Sequence, residues 1–142
     1  MKFIELKRSI KSVIWFLPVI WRDRDWQYNF IYELLARKLE KVEHYRQNDK
    51  YYMPYVGEER DNKKLLTTKN LCKRLAADEY LSNATINFDK KFPDAFNKMN
   101  YEWTKKEEEN FKRCCDHSYY MEKQDKDMFF KLLKDNIDRW WD

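Results

Sequence analysis

The side chains of this sequence best suited to hold a metal or attack a substrate are three cysteines and two histidines. Cys114 and His117 are spaced i and i+3, with Cys115 beside them, and Glu40 and His44 are spaced i and i+4. Each pair would share one face of a helix. Structural zinc sites pair Cys-x-x-Cys or His-x-x-x-His halves, and di-iron bundles repeat a Glu-x-x-His unit. Neither pattern is written here, so Glu40, His44, Cys114 and His117 form only a weak metal candidate, and no cofactor is expected. Cysteines acting as small buried hydrophobes account for the thiols more simply.

Nucleophilic catalysis needs a thiol activated by a histidine that a third polar group orients. Cys114, Asp116 and His117 are close in sequence, but neighbours on one helix point in different directions. No glycine-rich turn is available to build an oxyanion hole. The carboxylates Glu107, Glu108 and Glu109, and Asp23 with Asp25, fit helix starts, where acids act as caps and dipole partners. With one glycine in the chain, neither a Walker loop nor a dinucleotide fingerprint can be written. The expectation is a protein that is not an enzyme.

The elements that would position these residues are helices. One Gly and three Pro among 142 residues, with 38% charged and 43% hydrophobic residues, describe long helices with solvated faces. An 18% aromatic share supplies large side chains for one core and argues against disorder. The predicted fold is all-α: an antiparallel bundle of four to five helices with one long middle loop, as a single domain over residues 1–142.

A first helix carries Phe3, Leu6, Ile10, Val13, Ile14 and Leu17 on one side, and Pro18 is expected to end it. Asp23 or Asp25 can cap a second helix that runs through Leu34, Leu35, Leu39 and Val42 to about Asn48. Residues 49–57 hold Tyr51, Tyr52, Pro54, Tyr55 and the glycine, and read as a connector with its tyrosines on the core's rim. Glu58, Glu59 and Asp61 open a third helix, striped by Leu65, Cys72 and Leu75. Residues 82–102 read as an irregular connector with at most one short helix, because asparagines and Pro93 interrupt the apolar pattern. Thr104 and Glu107 form a capping box for a fourth helix. Asp125 or Asp127 would then cap a last one, striped by Phe129, Leu132, Leu133 and Trp140.

The net charge of +4 is concentrated at the N-terminus. Residues 1–22 hold five basic residues (Lys2, Lys7, Arg8, Lys11 and Arg22) against Glu5, and the rest of the chain balances 24 basic with 24 acidic residues. The first helix is thus basic and amphipathic. With its tryptophans it could meet a membrane surface or a nucleic acid through Lys7, Arg8, Lys11 and Arg22. The simpler reading makes it a core helix that buries Phe3, Ile10 and Leu17 and solvates a basic flank. Its apolar run, Val13 to Trp21, is broken by Pro18 and is far short of the roughly 20 residues of a membrane span. No cleavage site for a signal peptide follows it. Three cysteines, two of them adjacent, fit a reducing compartment, so a cytoplasmic location is expected. At the other end Trp140 follows the core stripe. Trp141 points elsewhere, as a cap over the bundle's end or as an anchor for a partner.

The run Ile20, Trp21, Arg22, Asp23, Arg24, Asp25 and Trp26 ahead of a leucine-rich helix, Glu59, Arg60 and Asp61 opening the third helix, and the terminal Trp-Trp-Asp resemble a family of small, mostly uncharacterised tailed-bacteriophage helical proteins. The resemblance implies a phage product acting in the bacterial cytoplasm, and brings no activity or site residues with it. An interaction protein follows as the leading expectation: an inhibitor or accessory factor, counter-defence included, that binds a host or phage macromolecule. Aromatic residues and arginine dominate interface hot spots, which makes Trp15, Trp21, Tyr51, Tyr52, Tyr55 and Trp141 the candidate contacts. A nucleic-acid accessory role is the alternative, a metal-dependent enzyme the second alternative, and the aromatic excess is compatible with a homodimer.

Overall fold

The spine of the molecule is a helix far longer than its neighbours. In the computed structural model, which describes residues 2–22, 28–49, 52–98 and 102–141 (backbone alone at 2, 3 and 141), α5 runs unbroken over Lys105–Trp141. Its 37 residues extend roughly 55 Å at 1.5 Å per residue. Before it come α1 (Lys2–Ile20), α2 (Asn29–Asn48), α3 (Glu58–Ala77), α4 (Tyr80–Lys91) and a short 3-10 turn at Ala95–Asn97. Among the described residues there is no strand, so the protein is an all-helical bundle as the composition implied.

The helices pack in the order α1, α2, α3, α5, α4. Cross-links that run in opposite senses along each pair show every pair to be antiparallel. Between α2 and α3, Glu40 pairs with Lys73 and Glu43 with Lys69, while Arg46 donates to Asn62. From α3 to α5, Arg74 reaches Asp125 and Lys64 reaches Asn136. α4 lies along the other half of α5, with Lys91 near Asn110 and Tyr80 near Asp125.

Two adjoining apolar clusters hold α2, α3 and α5 together. Ala36, Leu71, Cys72, Leu75 and Phe129 form one; Leu39, Leu65 and Trp140 form the other, and Leu133 packs against both. Trp140 is therefore part of the core, as its spacing implied. At the far end, Phe88 of α4 is fully buried among the rings of Phe92, Phe96, Trp103 and Phe111. This aromatic knot ties the start of α5 to α4 and the 3-10 turn. The capping box forms as expected. The Glu107 carboxylate accepts from the Thr104 backbone N–H and hydroxyl at 2.7 Å each, and the Glu107 N–H donates back to the Thr104 hydroxyl at 3.3 Å.

Four expectations are corrected. Pro18 lies inside α1 rather than ending it, two residues from the end. There the loss of one amide donor costs little, and the carbonyl of Pro18 accepts from Arg22 Nε at 3.0 Å. The first half of the predicted irregular connector 82–102 is helix, because α4 reaches Lys91 before Pro93 stops it. Asn83 and Asn87 are solvent-exposed on α4, while Tyr80, Ala84 and Phe88 recur every fourth residue toward α5. Neither Asp125 nor Asp127 caps anything, since α5 passes through both. Asp125 is buried within it and takes its partners from α3 and α4.

The fourth correction concerns α1, which packs on α2 alone to any extent. Leu6, Ile10, Val13, Ile14 and Leu17 do not enter the core; all five are exposed, Ile14 by 62%. Phe3's side chain lies outside the described residues, as do the expected caps Asp23 and Asp25.

Candidate functional site

α1 is held to α2 by its minor, mixed face. The Trp15 indole N–H donates to the Arg37 carbonyl at 3.0 Å, and Arg37 Nε donates back to the Trp15 carbonyl at 2.9 Å. The guanidinium of Arg37 lies 4.4 Å from the centre of the Trp15 ring, whose other neighbour is His44, 5.6 Å between centroids. Lys41 Nζ donates to the Ser12 hydroxyl and sits near the Phe16 ring, and Val19 is buried. Positions 12, 15, 16 and 19 are the side of α1 that meets the bundle.

The opposite side is apolar. Leu6, Ile10, Val13, Ile14, Leu17, Ile20 and Trp21 recur at helical spacing, and each is exposed, Trp21 by 83%. They form a stripe four turns long on the outermost helix. Lys7 and Lys11 line one edge of it, and Arg22 falls on the same row near its end. Arg8 is one step nearer α2, and all four cations are solvent-exposed. The single acid of this region, Glu5, shares the row of Ser12 and Phe16 and so lies away from the stripe.

The aromatic contacts expected from the sequence divide sharply. Trp15 is spent on α2. Tyr52 meets Tyr45 edge to face, and Arg46 sits 5.9 Å from the Tyr52 ring and 5.8 Å from the Tyr55 ring. The Tyr55 hydroxyl donates to Asp61 at 3.0 Å, so these two tyrosines brace the 49–57 connector. Tyr51 and the side chain of Trp141 lie outside the described residues. Of the described aromatic candidates, only Trp21 is presented freely.

The weak metal candidate is divided between two places. Glu40 on α2 pairs with Arg37 at 3.0 Å and Lys73 at 2.5 Å, cations that together outweigh burial and hold its carboxyl below the usual range. His44, one turn on, is exposed beside Trp15. Cys114 and His117 sit instead on the α4 side of α5. Among the described residues no three His, Cys, Asp or Glu side chains gather where a metal ion could be held. Cys72 is fully buried and its thiol donates to the Tyr32 carbonyl at 3.0 Å; burial pushes its pKa up to about 12. Burial also raises the Cys115 thiol.

Sequence reasoning missed a groove of about 260 Å³ between α4 and α5, lined by Cys114, His117, Ser118, Met121, Asn83 and Asn87 among others. Ser118 is buried and its hydroxyl has no hydrogen-bond partner among the described residues. Asp125 lies at one end of the groove, but its two oxygens are taken by Arg74 at 2.5 Å and Tyr80 at 2.6 Å. The carboxylate is therefore committed to joining α3, α4 and α5 rather than to orienting His117. Burial and the bond to Asp125 raise the Tyr80 phenol well above its usual value. No sequence signal marks the groove, because its members come from two helices in a register that only packing sets.

Among the described residues no helix is long and apolar enough to cross a membrane. Comparison of the chain with protein-family models, with curated proteins and with solved structures gives no match.

Proposed function

We propose that this is a non-catalytic docking protein: α2 to α5 form a rigid scaffold, and α1 is the element that docks on another component of the cell as an inhibitor or accessory factor. A single observation carries the reading. Six apolar side chains of α1 and Trp21 just past its end face solvent in one stripe, while the helix is clamped to the scaffold by its other side. A contiguous apolar surface of this kind is costly to leave in water and marks an interaction site. The resemblance to phage proteins, taken by itself, would make the docked component one of an infected bacterium.

The test is thiol labelling of Ile14→Cys in a Cys114→Ser/Cys115→Ser background, compared between purified protein and intact cells. Tyr120→Cys, at an exposed position of α5, is the reference. Docking predicts fast labelling of both sites in the purified protein and selective protection of position 14 in cells. Equal labelling of both sites in cells refutes the reading.

A second reading, nucleic-acid binding, is favoured by the exposure of Lys7, Arg8 and Lys11 on α1 and of Arg22 just past its end. It predicts low-salt binding to DNA or RNA that falls steeply with salt and survives Ile10→Ser/Ile14→Ser.

A further inference from the structure

We infer that the surface α1 docks on is an anionic lipid bilayer, with the helix lying in the plane of the headgroups; this rests on the docking reading above. The stripe and its cations are arranged as an interfacial helix requires: apolar side chains on one face, lysines on its flank, a tryptophan at its end. Leu6, Ile10, Val13, Ile14, Leu17 and Ile20 would enter the acyl boundary, and Trp21, exposed by 83%, would set the depth at the headgroup level. Lys7 and Lys11 reach from the edge of the stripe and can bury their stems while their ammonium groups meet lipid phosphates.

Charge decides between occupants. The region 1–22 carries five cations and one acid, and the rest of the chain is balanced, so the excess positive charge that draws the molecule to an anionic surface lies at this end. A nucleic acid would satisfy the cations and leave the isoleucines and leucines wet. A second copy packed antiparallel on the stripe would bring the Lys7 and Lys11 edge against its own counterpart, which is repulsive. A protein groove would have to wrap the helix, yet one side of it is already committed to α2 through Ser12, Trp15, Phe16 and Val19. What remains is a half-cylinder on the outside of the bundle, and a bilayer interface takes that shape without enclosing it.

The experiment is flotation of the full chain with vesicles of phosphatidylcholine alone, or of phosphatidylcholine and phosphatidylglycerol in equal parts. The expected result is salt-sensitive binding to the anionic vesicles and little to the neutral ones. Lys7→Gln/Lys11→Gln should weaken it about 25-fold, roughly fivefold for each cation lost near the surface. Ile10→Ser/Ile14→Ser should weaken it by about a hundredfold or more. Because these side chains are exposed, the variants keep the wild-type helical circular dichroism, which checks folding. A polarity-sensitive dye on Ile14→Cys should shift to the blue with anionic vesicles, and the same dye on Tyr120→Cys should not. Absence of vesicle binding, equal binding to both vesicle types, or a dimer that shields position 14 without lipid overturns the proposal. Protection of position 14 in cells alongside no vesicle binding would sink the lipid surface and leave the docking reading standing.

Discussion

Replacing Asp125 with alanine removes an acceptor shared by three helices. Its carboxylate is 7% exposed, accepts from Tyr80 Oη at 2.6 Å and pairs with Arg74 at 2.5 Å, and so joins α4 and α3 to the middle of α5. The Tyr80 bond is a partly buried hydrogen bond to a charged group, worth about 1.5 to 3 kcal/mol. Arg74 keeps 59% of its side chain in solvent, so its share is at most about 1 kcal/mol. Losing the desolvation cost of the carboxylate offsets part of this, and we expect Asp125→Ala to destabilise the fold by about 2 to 3 kcal/mol. Urea unfolding of Asp125→Ala, Tyr80→Phe and the double variant isolates the pair. The two effects should fall short of additivity by about 1 kcal/mol or more, with Arg74→Ala costing much less than either. Additivity within about 0.3 kcal/mol would mean that the buried carboxylate does not hold the phenol, and the reasoning for this junction would fail.

Other outcomes follow from single features. Gly57 begins α3 at φ 92°, a backbone that L side chains rarely adopt, with open space around it. Gly57→Ala should therefore cost about 1 to 2 kcal/mol by thermal unfolding, from backbone strain alone. The Thr104 N–H, then Lys98 and the Thr104 hydroxyl, hold the Glu107 carboxyl down at about 2. A carboxyl depressed in the folded state contributes stability above its unfolded pKa, and that stability is lost as pH falls toward 2. Acid unfolding of Glu107→Gln should thus be less steep over this window than that of the wild type. Under native conditions Cys114 and Cys115 should react with a thiol reagent well before Cys72, which should wait for global unfolding. Mass spectrometry of the labelled protein reads the order directly.

Much of the fold was legible because local rules and packing agreed. The Thr104 and Glu107 box needs only its own residues, and Trp140 falls on the stripe of Phe129 and Leu133 that the core uses. Where reading failed, a partner from elsewhere in the chain decided. An acid in mid-sequence looks like a cap, and nothing local tells Asp125 that Arg74 and Tyr80 will satisfy it inside a continuous helix. Asn83 and Asn87 look like interruptions until Ala84 and Phe88 are seen to carry the contact while the asparagines stay in water.

The docking stripe was legible as a stripe but not as a surface. Periodicity shows that Leu6, Ile10, Val13, Ile14 and Leu17 share a side, and it cannot say whether that side meets a core or solvent. The deciding contact is the clasp of Trp15 with Arg37, two residues far apart in sequence that turn the opposite face of α1 inward. Trp15, which looked like an anchor for a partner, is what frees the stripe to be one.

The stability of Ile10→Ser/Ile14→Ser tests this most directly. Isoleucine and serine have similar helix propensity, so a solvent-facing stripe predicts unfolding free energy within about 0.5 kcal/mol of wild type in urea. Were these side chains part of the core, each would cost at least about 1.5 to 3 kcal/mol. A loss of several kcal/mol would place the stripe inside the bundle and contradict the account.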